Sequence, residues 1–286
     1  MTNMPELPGL TRFPVARRFM MTSLISGLTL AATRVEAQVI RTDFAGIEAG
    51  EVRVKVSDGE LPAYFARPQG EGPFPVVLVN EEIFGVHDYI KDICRRFAKA
   101  GYLAVAPEIY ARLVDFSKIT DFSTIFRDVV SKAADATMLS DLDAAVAWAV
   151  ANRGDAGRLG VTGFCRGGRN TWLYAAHNPT LKAAVAWYGP VVGPVTDLQP
   201  KTPTDVAGDL HAPLLGLYGG KDAGIRVEDV QAAAAKARAA GRTVEIVVYP
   251  DAPHGFHADY RPSYRAEDAA DGWKRMLAWL RKYGVA

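Results

Sequence analysis

The chain has 286 residues, 49% hydrophobic and 23% charged, and its 33 Lys and Arg against 32 Asp and Glu give a formal charge of +1. That balance excludes a disordered chain, which needs low hydrophobicity with high net charge, and leaves no basic surplus to neutralise nucleic-acid phosphates. Two cysteines, Cys94 and Cys165, are too few for a disulfide scaffold or a four-cysteine zinc site.

In chain order, the first segment reads as an address. The uncharged apolar run 20–33 follows the pair Arg17-Arg18 and precedes Val35-Glu36-Ala37, a small-residue cleavage pattern. The run is shorter than the roughly 20 residues a bilayer span needs. Its start, Arg17-Arg18-Phe19-Met20, resembles a twin-arginine signal; an uncleaved anchor or an amphipathic helix is the alternative. Residues 1–37 are therefore expected to be a signal peptide that sends a folded protein to the periplasm or beyond, with 38–286 as a single domain. Losing that segment's four arginines and two glutamates moves the formal charge to −1.

Residues 51–56 alternate polar and apolar, the period of a half-buried strand, and Asp58-Gly59 turns the chain so that 61–66 returns beside it. Pro73-Phe74-Pro75 introduces a β-branched run at 76–79 of the kind buried on both faces. Similar runs stand at 103–106, 159–162, 183–187, 214–218 and 244–249. Helical patterns near 88–100, 123–151, 167–177, 227–240 and 264–282 separate and follow them, the last with Trp273, Met276, Leu277 and Leu280 on one face. Residues 189–210, rich in Pro, Thr and Asp, are expected to be a long surface excursion. This alternation specifies an α/β fold, a mostly parallel central sheet with helices on both faces and an N-terminal antiparallel hairpin. Chemistry in such a sheet gathers beyond the strand carboxyl ends, here after Val79, Ala106, Thr162, Trp187, Tyr218 and Tyr249.

After the 159–162 strand, Gly163-Phe164-Cys165-Arg166-Gly167-Gly168 has the pattern of a nucleophile elbow, with cysteine where serine usually stands. The thiol would sit at a helix N-terminus, whose dipole favours thiolate; a glycine-rich turn with a small buried cysteine has the same letters. An α/β-hydrolase triad runs nucleophile, acid, histidine along the chain. Asp222 follows the next-to-last strand and His254 the last, each a strand–helix unit apart. Asp222 could instead cap the helix starting near Arg226, Asp197, Asp205 and Asp209 are rival acids, and His257 is a rival base. His87, His177 and His211 read as surface or capping residues. No metal spacing and no phosphate loop is present, so no cofactor is expected.

Asn80-Glu81-Glu82-Ile83-Phe84-Gly85-Val86, Pro107-Glu108-Ile109-Tyr110-Ala111-Arg112, the cysteine elbow, Tyr218-Gly219-Gly220-Lys221-Asp222-Ala223-Gly224-Ile225 and His254-Gly255-Phe256 together resemble the dienelactone hydrolase (carboxymethylenebutenolidase-like) family over about 45–284. The resemblance implies the α/β-hydrolase fold and a Cys165–His254–Asp222 triad that hydrolyses carboxylic esters or lactones through a thioester. It also implies that Glu82 interacts with the cysteine and helps gate its ionisation; without it, Glu82 reads as an exposed loop acid. The oxyanion donors would be the backbone amides of Ile83 and Arg166. Tyr110, Trp187, Tyr188 and Phe256 are candidate pocket walls, with core packing as the other reading. The arginine that such enzymes carry four residues beyond the histidine is replaced by Ala258. Arg127, Arg166, Arg261 or Arg265 could substitute, although each also reads as a solvated surface charge. Expected partners reduce to a small ester or lactone, with no nucleic acid and no stable membrane association once the signal is cut, on a monomer or small oligomer. A non-catalytic thiol or ligand-binding protein is the alternative, favoured if Cys165 paired with Cys94.

Overall fold

The computed structural model describes residues 40–116 and 124–286. The signal segment expected at 1–37 lies outside them.

All eight expected strands form, most of them longer than the apolar runs that announced them. They are β1 (Ile47–Val56), β2 (Gly59–Pro68), β3 (Phe74–Asn80), β4 (Leu103–Pro107), β5 (Gly154–Phe164), β6 (Ala183–Trp187), β7 (Leu214–Gly219) and β8 (Val244–Tyr249). They build one sheet in the order β1-β2-β4-β3-β5-β6-β7-β8. The β1–β2 hairpin is antiparallel, with Val54 opposite Leu61, and β2 joins β4 antiparallel. Every later pairing is parallel. Helix α1 (Asp88–Lys99) and helix α5 (Ala266–Lys282) cover one face; α2 (Asp135–Ala151), α3 (Arg166–His177) and α4 (Val227–Ala239) cover the other.

The pleat explains why the inner strands carry unbroken apolar runs. In β3, Val76 and Leu78 enter the core under α2 and α3, while Val77 and Val79 enter the core under α1 and α5, all four fully buried. Met276 and Leu280 of α5 are wholly buried on that second side, with Trp273 and Leu277 packed partly against it.

The helical pattern expected at 123–151 is divided. A single turn at Ile125–Asp128 and a 3-10 turn at Val130–Lys132 precede α2. The break falls at Ala133 and Ala134, both extended with ψ of 117° and 131°, although alanine is the best helix former. The cause is tertiary. Gln199 Nε2 donates to the carbonyls of Val130 and Ala133 at 2.6 and 2.9 Å, and the Asp135 amide donates to the Leu198 carbonyl at 2.9 Å. The 189–210 excursion thus captures backbone groups that a continuous helix would use internally. It is itself more than a surface loop, because Gln199, Pro203, Val206, Ala207 and Leu210 are buried and Thr202 with Asp205 form a reciprocal cap on its short helix.

Candidate active site

Cys165 sits between β5 and α3 with φ of 55° and ψ of −119°, a strained conformation for a residue with a side chain. Its amide donates to the Trp187 carbonyl at 3.0 Å and its carbonyl accepts from Gly168 at 2.9 Å, so both sides of the turn are pinned. The flanking glycines are steric necessities. A Cβ on Gly163 would stand 2.2 Å from the Gly167 oxygen, and one on Gly167 would stand 2.3 Å from the Asn80 oxygen. Cys165 retains partial solvent access, whereas Cys94 is fully buried in the core against α1, where burial pushes its thiol up. Both thiols are free, so the Cys94–Cys165 pairing that would favour a non-catalytic protein is not formed.

Asp222 follows β7 and divides its two oxygens. Oδ1 accepts from the amides of Gly224 and Ile225 at 2.9 and 3.1 Å, which fixes the loop; Oδ2 lies 2.7 Å from His254 Nδ1. Helix α4 begins later and takes no side-chain cap, so the capping role is not the one Asp222 fills. The rival acids Asp197, Asp205 and Asp209 are exposed, and Asp205 is spent on its own cap. Burial works against a charge on His254, but Asp222 and the nearby Cys165 outweigh it and raise the imidazole to about 10. The rival base His257 is opposite in every respect. It is buried, accepts or donates at 2.7 Å with the Tyr89 hydroxyl, and packs on Trp187 and Trp273. Burial, assisted by Arg96, lowers it to about 3.

Glu82 is not an exposed loop acid, because it is wholly buried. Oε1 accepts from Arg261 Nη2 at 2.8 Å, Oε2 accepts from the Tyr260 hydroxyl at 2.6 Å, and His87 Nε2 lies 3.3 Å away. Burial alone would raise the carboxyl; Arg261 first, then His87 and Tyr260, hold it down at about 2. His87 is therefore part of the site and supplies no side-chain cap to α1, while His177 bonds Asp143 at an exposed position and His211 is exposed. Arg261 is 6% and Arg166 9% exposed, so neither is a solvated surface charge. Arg261 is close enough to Cys165 for the two charges to interact. Arg127 and Arg265 lie on the surface, paired with Asp128 and Asp268.

The four candidate wall residues are all buried but diverge in position. Tyr188, at φ of 35°, sets its ring edge-on to His254 with centroids 5.2 Å apart. Phe256 packs against Tyr188 and Trp187, and Trp187 lies in the core under α5 against His257. Tyr110 lies on the opposite face of the sheet, its amide 3.4 Å from Glu81 Oε1. Ile83 is buried in the loop after β3, and Arg166 opens α3, where the first amides have no helical acceptor. Tyr260, Arg169, Asp135 and Gln199 were not singled out from sequence. One signal for the last three was available: Arg166 and Arg169 are two cations in a first helical turn, where the helix dipole disfavours them. Among the described residues no group of three or more His, Cys, Asp or Glu could hold a metal ion.

A mostly parallel sheet that presents its reactive residue on a strained strand-to-helix turn, with an acid and a histidine at the next strand ends, belongs to the α/β hydrolases. Comparison with known proteins narrows this. The Dienelactone hydrolase family profile matches residues 61–284. A Methylorubrum extorquens protein named "Putative carboxymethylenebutenolidase" is 58% identical over 272 residues, 94% of each chain. An Escherichia coli protein of the same name is 52% identical over 266 residues, 93% of this chain and 98% of its own. A crystal structure from Klebsiella pneumoniae described as a "Putative Dienelactone Hydrolase" superposes with a TM-score of 0.81 at 55% identity, over 83% of this chain and 99% of that one. The chain belongs to the dienelactone hydrolase family, and it is a hydrolase that acts on lactones or esters.

Proposed function

We propose that Cys165 is the nucleophile of this hydrolase, with His254 as acid and base and Asp222 as the group that orients the imidazole. The observation that carries the reading is the 2.7 Å contact between His254 Nδ1 and Asp222 Oδ2, which leaves Nε2 for the thiol held at the elbow. The Cys165 thiolate attacks the carbonyl carbon of an ester or lactone, and the amides of Ile83 and Arg166 hold the oxyanion that forms. The C–O bond breaks as His254 protonates the departing oxygen, leaving a thioester on Cys165. Water then attacks the thioester while His254 takes its proton, and the thiolate departs with the acid product released. Glu82, ionised and clamped by Arg261 and Tyr260, keeps a fixed negative charge near the thiol, which restrains its ionisation.

The test is Cys165→Ala on an activated ester. Loss of about a thousandfold or more in kcat with an unchanged circular dichroism spectrum is expected, together with a thioester adduct on the wild-type chain by mass spectrometry. Retained turnover would remove Cys165 from the mechanism. We further propose that residues 1–37 direct the folded enzyme to the periplasm. Arg17-Arg18→Lys-Lys should then leave the activity in the cytoplasmic fraction; unchanged partition of activity between fractions contradicts this.

A further inference from the structure

Arg166 and Arg169 stand one turn apart at the start of α3, both buried, at 9% and 6% exposure. Their two charges face a single carboxylate. Asp135 takes Arg169 in a bidentate pair at 2.7 and 2.8 Å. Arg166 is left with neutral partners only: its Nη2 donates to Gln199 Oε1 at 2.8 Å, and the Tyr110 hydroxyl lies against the guanidinium. The Gln199 amide cannot turn away, because its Nε2 is committed to the carbonyls of Val130 and Ala133. The acid beyond Tyr110, Glu81, offers no compensation. It is wholly buried, and burial together with Glu108 drives its carboxyl well above the usual range, so it stays uncharged. Arg261 differs on this point, since its charge is spent on Glu82.

A buried guanidinium without a counter-charge is costly, and the cost is compounded by a second cation beside it and by the positive end of α3. Such a group is retained where an anion arrives to meet it. A guanidinium offers five donors in a planar fork suited to a carboxylate, and only part of that capacity is used by Gln199 and Tyr110. The residue is the chain neighbour of Cys165, so whatever it grips is held beside the thiol.

We propose that the Arg166 guanidinium anchors a carboxylate carried by the substrate, so that the site selects anionic esters or lactones. The inference rests on the Cys165 reading and deepens it, and it assigns to one side chain a role separate from that residue's backbone amide. Gln199 is the positioning residue that aims the fork.

The test compares mono-p-nitrophenyl glutarate with p-nitrophenyl pentanoate, matched in length and differing in charge. In Arg166→Gln and in Gln199→Glu, which sets an internal carboxylate on the guanidinium, the anionic-to-neutral ratio of kcat/KM should fall at least tenfold through KM, and Arg166→Lys should recover part of it. Calorimetry needs no turnover: glutarate should bind the wild-type protein, glutaramide should not, and Gln199→Glu should weaken glutarate at least tenfold. A ratio that moves less than twofold in both variants, or equal binding of glutarate and glutaramide, overturns the anchor and leaves the hydrolase intact. A wild-type protein that binds glutarate selectively but cleaves neither ester keeps the anchor and overturns the nucleophile.

Discussion

Two histidines three positions apart, on one loop, are driven in opposite directions: His254 up to about 10 and His257 down to about 3. Both are buried, so the difference comes from partners. His254 faces the carboxylate of Asp222, whereas His257 faces a neutral hydroxyl and aromatic rings with Arg96 nearby. A pKa raised in the folded state contributes stability that is fully present below the unfolded value of about 6.5 and is lost as pH climbs through the folded value. The stability difference between wild type and Asp222→Asn, from urea unfolding at about pH 6, 8 and 10, should therefore shrink as pH rises. Asp197→Asn should stay within about 0.5 kcal/mol of wild type throughout; a gap that widens with pH would falsify the Asp222–His254 pairing. Chain order and strand-end position were enough to favour Asp222 over three rivals. They could not reveal the burial of Glu82, whose partners Tyr260 and Arg261 are 178 and 179 residues away in sequence.

At the scale of elements, the elbow is the most legible piece, because its geometry is written in glycines that nothing larger can replace. Gly163→Ala would press a methyl to 2.2 Å from the Gly167 oxygen, and an oxygen in the first turn of a packed helix has little room to retreat. Destabilisation of about 2 to 4 kcal/mol is expected by urea unfolding, with loss of activity even where the variant folds. A variant as stable as wild type would mean that the β5–α3 turn is looser than described. The division of the 123–151 segment was not legible. Ala133 and Ala134 carry every local signal for helix, and the break is imposed by Gln199, more than sixty residues later. The same contact aims Arg166, so the irregularity that propensity missed is the one that shapes the site.

For the whole molecule, the eight strands were readable because seclusion on both faces demands unbroken Val, Leu and Ala, and the opening hairpin was readable from its alternation. Their lateral order was not, since pairings such as β3 with both β4 and β5 depend on contacts that leave no local trace. That order carries a consequence. The chain ends its sheet on β8, which is bonded on one side only, to β7, and His254 hangs from the loop just beyond it. Turnover is thus a gauge of how firmly one border of the molecule is fastened. Border strands open at lower cost than central ones, so in rising urea the enzyme should fall silent before far-UV ellipticity is lost, and deuterium should enter the amides of 244–249 ahead of those of 159–163. Coincident transitions would show instead that the border and the interior come apart as one unit.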